Sequence, residues 1–215
     1  MRTARSALLA TVVVLAGLSA TVTGCTSDDG AAGSSGAAPS GAVSSGAAPS
    51  GAPSGPACSR LPAEGPGSSA ALAAGPLGGA VATSPLLTTL ADAVQNANLV
   101  DALNSAPDVT LLAPADAAFD AVPPETLGPL LADAPELARL LTHHLLQGRL
   151  TPAQLAGEHP TLAGDRVTVT GSGQRFSVGA DQTLTGTAPA TVVCGGVQTG
   201  NATVYVIDQV LQPAG

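Results

Sequence analysis

The chain has no tryptophan and no lysine, a single methionine and tyrosine, two phenylalanines and three cysteines among its 215 residues. Each shortage removes a class of chemistry. Without lysine there is no Schiff base and no lysine general base. Without tryptophan, and with one tyrosine, there is no aromatic platform for a sugar, so the paired carboxylates of a glycosidase would have nothing to hold their substrate. Seven basic residues against fifteen acidic ones leave a formal net charge of −8, and a surface of that sign repels nucleic-acid phosphates. The core must be aliphatic, with Phe119, Phe176 and Tyr205 as its bulky anchors. Catalytic spacings are missing as well. There is no Gly-x-Ser-x-Gly elbow, and His143, His144 and His159 come without His-Glu-x-x-His or Cys-x-x-Cys spacing. Adjacent histidines point in different directions on a helix or strand, which favours a structural His144 and an exposed or half-buried His143. Asp116, Asp120 and Asp208 are the acids whose convergence near His144 would revive catalysis, but a solvated acidic surface with a helix-capping Asp116 is the preferred reading. The chain is therefore not read as an enzyme, and neither cofactor nor metal is expected.

What the chain does have begins with an export signal. Arg2 and Arg5 precede an uncharged apolar run from Ala7 to Ala20, then Val22-Thr23-Gly24-Cys25. A basic start followed by a short apolar stretch is a secretory leader, residues 1–24, too short to be a comfortable membrane span. A cysteine behind small residues resembles the bacterial lipobox, with Val22 where leucine is commoner, so Cys25 is the expected lipidation site. Cleavage there removes two of the seven arginines and no acid, so five cations face fifteen carboxylates and the net charge falls from −8 to −10. Two cysteines then remain, Cys58 and Cys194, in a chain sent to an oxidising compartment where a disulfide is the default. A bridge across 136 residues stabilises by roughly 5 kcal/mol in the chain-entropy model.

Residues 25–57 are nearly all Gly, Ala, Ser and Pro, and the unit Ser-Ser-Gly-Ala-Ala-Pro-Ser-Gly-Ala occurs at Ser34–Ala42 and again at Ser44–Ala52. Such a segment buries too little to offset its ordering entropy and reads as a flexible tether. Its end-to-end distance is on the order of 30 Å, and its extended reach is about 110 Å. Residues 58–75 form an extension carrying Cys58, with a short Ala-rich turn at Ser69–Ala74. Ser84-Pro85 reads as the start of a helix bearing Leu86, Leu87, Leu90, Ala93, Val94 and Ala97 at helical spacing. A second short helix is expected over Asn98–Leu103, a strand over Val109–Leu112 stopped by Pro114, and a helical turn over Asp116–Phe119. Pro123-Pro124 opens a further helix to Leu131, and Asp133-Ala-Pro-Glu136 is a capping box opening another that runs into His143-His144. After Gly148 the pattern turns to strands: a short helix capped at Thr151-Pro152, then Arg166–Thr170 and Gln174–Val178 around a Gly171-Ser-Gly173 turn. Finally, Ala190–Cys194 and Thr203–Ile207 form a closing pair of strands, at least one running through the core, with Cys194 at its edge. Asn201-Ala-Thr203 matches a glycosylation sequon but reads as a turn. Helices first, strands later and one strand among the helices make an α+β fold.

Two segments carry a family resemblance. Thr110-Leu-Leu-Ala113-Pro114-Ala-Asp116-Ala-Ala-Phe119 resembles the first homology segment of fasciclin (FAS1) domains, and Ala202 to Pro213, with Tyr205, Ile207, Asp208, Leu211 and Pro213, resembles the second. Leu140-Leu-Thr-His-His144 occupies the place of the family's Tyr-His segment, with His143 where tyrosine is usual. The resemblance covers residues 76–213 and is nearest to the secreted and lipoprotein antigens of mycobacteria, which share the Val193-Cys-Gly-Gly196 run and an N-terminal cysteine partner. It implies a β-wedge or sandwich-like arrangement with a cluster of short helices. It also implies that His144 is buried, bonded to Asp116 or nearby backbone, and orients the first segment. In function it implies a monomeric extracellular module for adhesion or interaction with a protein or matrix partner of the envelope, held to the membrane by lipid at its outer face or secreted. The alternative is an envelope accessory or regulatory protein that binds a membrane protein or a lipid.

Overall fold

Two apolar runs set the frame. Val109–Pro114 (β1) and Ala202–Ile207 (β7) are buried at every position, which marks strands covered on both faces. They lie parallel and in register, Leu112 beside Tyr205 and Pro114 beside Ile207, so the two homology segments are neighbours along their length. The computed structural model describes residues 52–214. The leader, Cys25 and the tether up to residue 51 lie outside the described residues.

The remaining strands are Leu145–Gln147 (β2), Gly157–Pro160 (β3), Arg166–Ser172 (β4), Arg175–Val178 (β5) and Ala190–Gln198 (β6). All seven form one sheet in the order β2-β1-β7-β6-β5-β4-β3. Its two ends approach each other: Leu146 bridges Thr161, and the Leu162 amide donates to the Leu145 carbonyl at 2.8 Å. The result is a nearly closed wedge. Side chains alternate across β1 and β7, and two cores follow. Val109, Leu111, Ala113, Val204 and Val206 face the helices together with Phe119, while Leu112, Tyr205 and Ile207 face the wedge interior with Phe176, Val167 and Leu211.

The helices are short: Ser69–Ala74 (α1), Leu77–Thr83 (α2), Thr88–Asn96 (α3), Val100–Ser105 (α4), Asp116–Asp120 (α5), Pro124–Ala132 (α6) and Ala134–His143 (α7). At α7 the Asp133 carboxylate accepts from the Glu136 amide at 3.1 Å, as the capping pattern predicts. The Ser84-Pro85 start does not form. Ser84 instead closes the C-terminus of α2, its amide bonding the Val81 carbonyl, and α3 begins four residues later at Thr88. The local Ser-Pro signal loses because the cap of α3 comes from elsewhere in the chain, from Asp116.

Four further expectations change. Residues 152–154 make only a turn, with the Thr151 hydroxyl and amide both donating to the Gln154 side chain, so no helix follows Thr151-Pro152. β2 and β3 carry no strand signal of their own, being three and four residues long, and are held by pairing with β1 and β4. β6 continues through Gly195 and Gly196 to Gln198, its ladder to β7 interrupted by register shifts on either side of Cys194. Gly196 adopts φ 77° at the second of these, a left-handed conformation that glycine takes without strain. Cys194 is fully buried rather than at the core's edge.

Candidate functional site

The head begins on the outer side of β6. Ser54 exchanges both backbone hydrogen bonds with Gly195, at 2.9 and 2.8 Å, and a 3-10 turn follows over Pro56–Arg60. Gly55 permits this close approach, since a Cβ there would lie 2.4 Å from the Val193 carbonyl oxygen. Cys58 is bonded to Cys194, with the Cα atoms 5.0 Å apart. Residues 54–58 are thus fastened to the closing hairpin by a strand bridge and a disulfide.

A cleft of about 280 Å³ opens beside that turn, between the two homology segments. Its walls are Pro56, Leu86, Ala115, Ala117, Val193 and Val206, and its two charged lining residues are Arg60 and Asp208. Those charges are in different states. Asp208 accepts from the Thr191 amide at 2.6 Å and also from the Thr191 hydroxyl, fastening the start of β6 to the end of β7. Arg60 is exposed and makes no salt bridge or side-chain hydrogen bond among the described residues.

The family-motif residues hold this joint together. Asp116 does not cap its own helix. Its carboxylate accepts from the Thr89 amide at 2.8 Å and the Thr88 hydroxyl at 2.9 Å, closing the N-terminus of α3. Burial pushes that carboxyl up, but these hydrogen bonds outweigh it and hold it below the ordinary value. The Thr110 hydroxyl donates to the Gly148 carbonyl and accepts from the Leu150 amide, each at 2.8 Å, and the Tyr205 hydroxyl donates to the Leu150 carbonyl at 3.1 Å. Burial raises the Tyr205 hydroxyl above its usual range, which keeps it a neutral donor. Ala113 and Ile207 are wholly buried, Phe119 nearly so, and Pro213 is half-buried.

His144 is buried, but its partner is not Asp116. Nδ1 donates to the Leu140 carbonyl at 2.8 Å, and Nε2 accepts from the Leu211 amide at 3.0 Å. The side chain therefore anchors the second homology segment, while its own carbonyl receives the Leu112 amide of the first at 2.9 Å. Burial is the main cause of its lowered pKa, to about 4, with the neighbouring His143 adding to the effect. His143 is also buried, 1 % exposed, because the Thr161–Asp165 loop packs over the end of α7. Its Nδ1 lies 2.8 Å from both oxygens of Asp165, and its buried Nε2 has no partner among the described residues. Asp165 also takes the Thr161 hydroxyl and the Ala214 amide. Asp116, Asp120 and Asp208 do not assemble around His144: the first binds Thr88 and Thr89, the third binds Thr191, and both ring nitrogens of His144 are taken by backbone.

Three features have no local signal in the sequence. The His143–Asp165 contact joins residues 22 apart across a loop. Arg149 turns its guanidinium into the β6–β7 turn, donating to the carbonyls of Thr199, Gly200 and Ala202. Asn201, the sequon residue, accepts from the Leu77 amide and donates to the Leu103 and Ala106 carbonyls, all at 2.8 Å, so the turn also locks α2 and α4. The sequon's spacing gives no hint of these partners, which lie about a hundred residues away in sequence.

Among the described residues, no helix is long and apolar enough to cross a membrane. Immunogenic protein MPB70 of Mycobacterium bovis is 43 % identical over 143 residues, which span 64 % of this chain and 69 % of that protein. Cell surface glycolipoprotein MPB83 of the same organism is 40 % identical over 143 residues, and there the match spans 60 % of the relative's length. A FAS1 domain pair from the insect cell adhesion molecule fasciclin I aligns at a TM-score of 0.45 with 25 % identity, covering 59 % of this chain and 45 % of that one. The fasciclin domain model matches residues 85–213, which contain both homology segments and the His143-His144 pair, and the chain belongs to the fasciclin domain family.

Proposed function

We propose that this chain is an exported fasciclin module, held by lipid on Cys25 at the outer face of a bacterial membrane or in the cell wall. There it presents its head for adhesion to, or interaction with, a protein or matrix partner. The observation that carries the reading is the 40 % identity to a relative whose name places it at the cell surface as a glycolipoprotein, in a chain where Cys25 closes an apolar leader. A head on a long tether can bind one partner weakly and still act, because presentation at a surface raises the effective concentration. A binding role without catalysis fits the joint between the segments, whose acids and histidine are spent on backbone and threonine donors.

Mass spectrometry of the mature N-terminus is expected to find an acylated Cys25, and Cys25→Ser is expected to move the protein from the membrane fraction to the medium. An unmodified N-terminus, or unchanged fractionation of the variant, refutes the anchor. The second reading, an envelope accessory protein that binds a membrane-protein partner or a lipid, is favoured by the largely apolar cleft beside the second segment. Crosslinking from Ala117 in intact cells distinguishes the two: a single recurrent membrane-protein adduct supports the accessory role, and its absence supports adhesion.

A further inference from the structure

Which ligand the cleft suits follows from which of its charges is already used. Asp208, at the end of β7, keeps its negative charge, but both its carboxylate oxygens are held by the Thr191 amide and hydroxyl, so the cleft's cationic partner for a ligand is Arg60. Of the five arginines among the described residues, Arg139 donates to the Ala214 carbonyl, Arg149 to the β6–β7 turn and Arg166 to Glu158. Arg175 stands at the tip of the β4–β5 hairpin, away from the cleft. Arg60 alone combines a guanidinium that has no partner among the described residues with an aliphatic cavity, whose walls are Pro56, Leu86, Ala117, Val193 and Val206. At about 280 Å³ the cleft lies just below the roughly 300–1,000 Å³ typical of small-molecule sites. That is room for one short alkyl chain, not for a two-chain lipid.

The geometry points to a binding site for a single-chain carboxylate, a short free fatty acid, with its alkyl chain against Val193 and Val206 and its head on Arg60. Burying the chain supplies the apolar contribution, and a guanidinium–carboxylate pair supplies a charge-assisted, two-pronged contact that fixes orientation. The disulfide has a part in the site, because Cys58 pins the short turn that carries both Pro56 and Arg60. The inference rests on reading the cleft as a binding site, but not on the lipid anchor, which the Cys25→Ser fractionation tests separately.

Calorimetry and amide NMR on the full chain test it, with decanoate as the probe and decyltrimethylammonium and phosphatidylglycerol vesicles as the comparisons. Decanoate is expected to bind saturably below its micellar concentration, shifting the amides of Val193, Val206 and Ala117, while the cationic chain of the same length does not. Arg60→Gln is expected to weaken decanoate about tenfold, the loss typical of one charged hydrogen-bonding partner. Ala117→Phe, which fills the cleft from an exposed position, is expected to abolish binding with the melting temperature unchanged. No saturable decanoate binding, equal binding of the cationic chain, or wild-type affinity in both variants overturns the assignment. So does binding to the vesicles without binding to monomeric decanoate, which would make this face a membrane contact.

Discussion

At the scale of single residues, the molecule is held by polar side chains that reach across the chain to backbone, and His144 shows what this costs. With Nδ1 donating to Leu140 and Nε2 accepting from Leu211, the ring fits only as the neutral tautomer. Protonating Nε2 would set two N–H groups against each other in a dry site. Its pKa falls from 6.5 to about 4, so below pH 6.5 the unfolded chain binds a proton that the folded one refuses. Stability therefore declines as pH drops from 6.5 toward 4, by about 3 kcal/mol from this residue alone. Urea denaturation of wild type and His144→Gln across that range checks the sign: the variant starts less stable at pH 7, and the gap narrows as the pH falls. A gap independent of pH rules this account out. For Asp116 and Asp165 the folded carboxyls lie below their ordinary value. Their contribution is present above the unfolded pKa and is lost only as the pH falls through the folded one, below the window of His144.

Among elements, two joints decide the stability of the head. The first is α3, whose N-terminus is closed by Asp116 from another helix. Asp116→Ala is expected to cost about 1–2 kcal/mol, the range of a lost N-cap, and to speed hydrogen exchange at Thr89 and Leu90. Normal exchange there would mean that the cap contributes nothing. The second is the closing hairpin, where Asn201 satisfies the ends of α2 and α4 while the disulfide holds the incoming turn. Asn201→Ala leaves one amide and two carbonyls without partners and is expected to destabilise by about 1–3 kcal/mol. Cys194→Ser is expected to lower the melting temperature and to loosen residues 54–60 in limited proteolysis. An unchanged melting temperature, together with two titratable thiols in the wild type, would exclude the bridge. Helix order was readable from spacing and capping signals, as at α7. The start of α3 was not, because a cap supplied by a residue 28 positions away from Thr88 leaves no trace in the sequence around the helix.

For the whole molecule, the sheet and its two cores predict an ordered gradient of protection. β1 and β7, buried on both faces, are expected to exchange only by global unfolding. α6 has no fully buried side chain and lays Leu127, Leu130 and Leu131 half-exposed on the core, so it is expected to open first. Native-state hydrogen exchange in low denaturant measures both, and equal protection of α6 and β7 would contradict the assignment of the cores.

By itself the sequence determined the α+β class, the aliphatic core with its three bulky anchors, the central strands and most helices. Those features follow from side-chain type and local period, which act over a few residues. It also pointed to the family, through two segments whose residue order is preserved. Only the tertiary structure decided that these segments lie side by side as parallel strands, that β2 and β3 exist at all, and that His143 is buried against Asp165. It alone placed an apolar cleft beside the turn that carries Arg60, an arginine with no salt bridge among the described residues. Contacts between residues tens of positions apart are selected by the packing of the whole chain, and no short stretch of sequence encodes them.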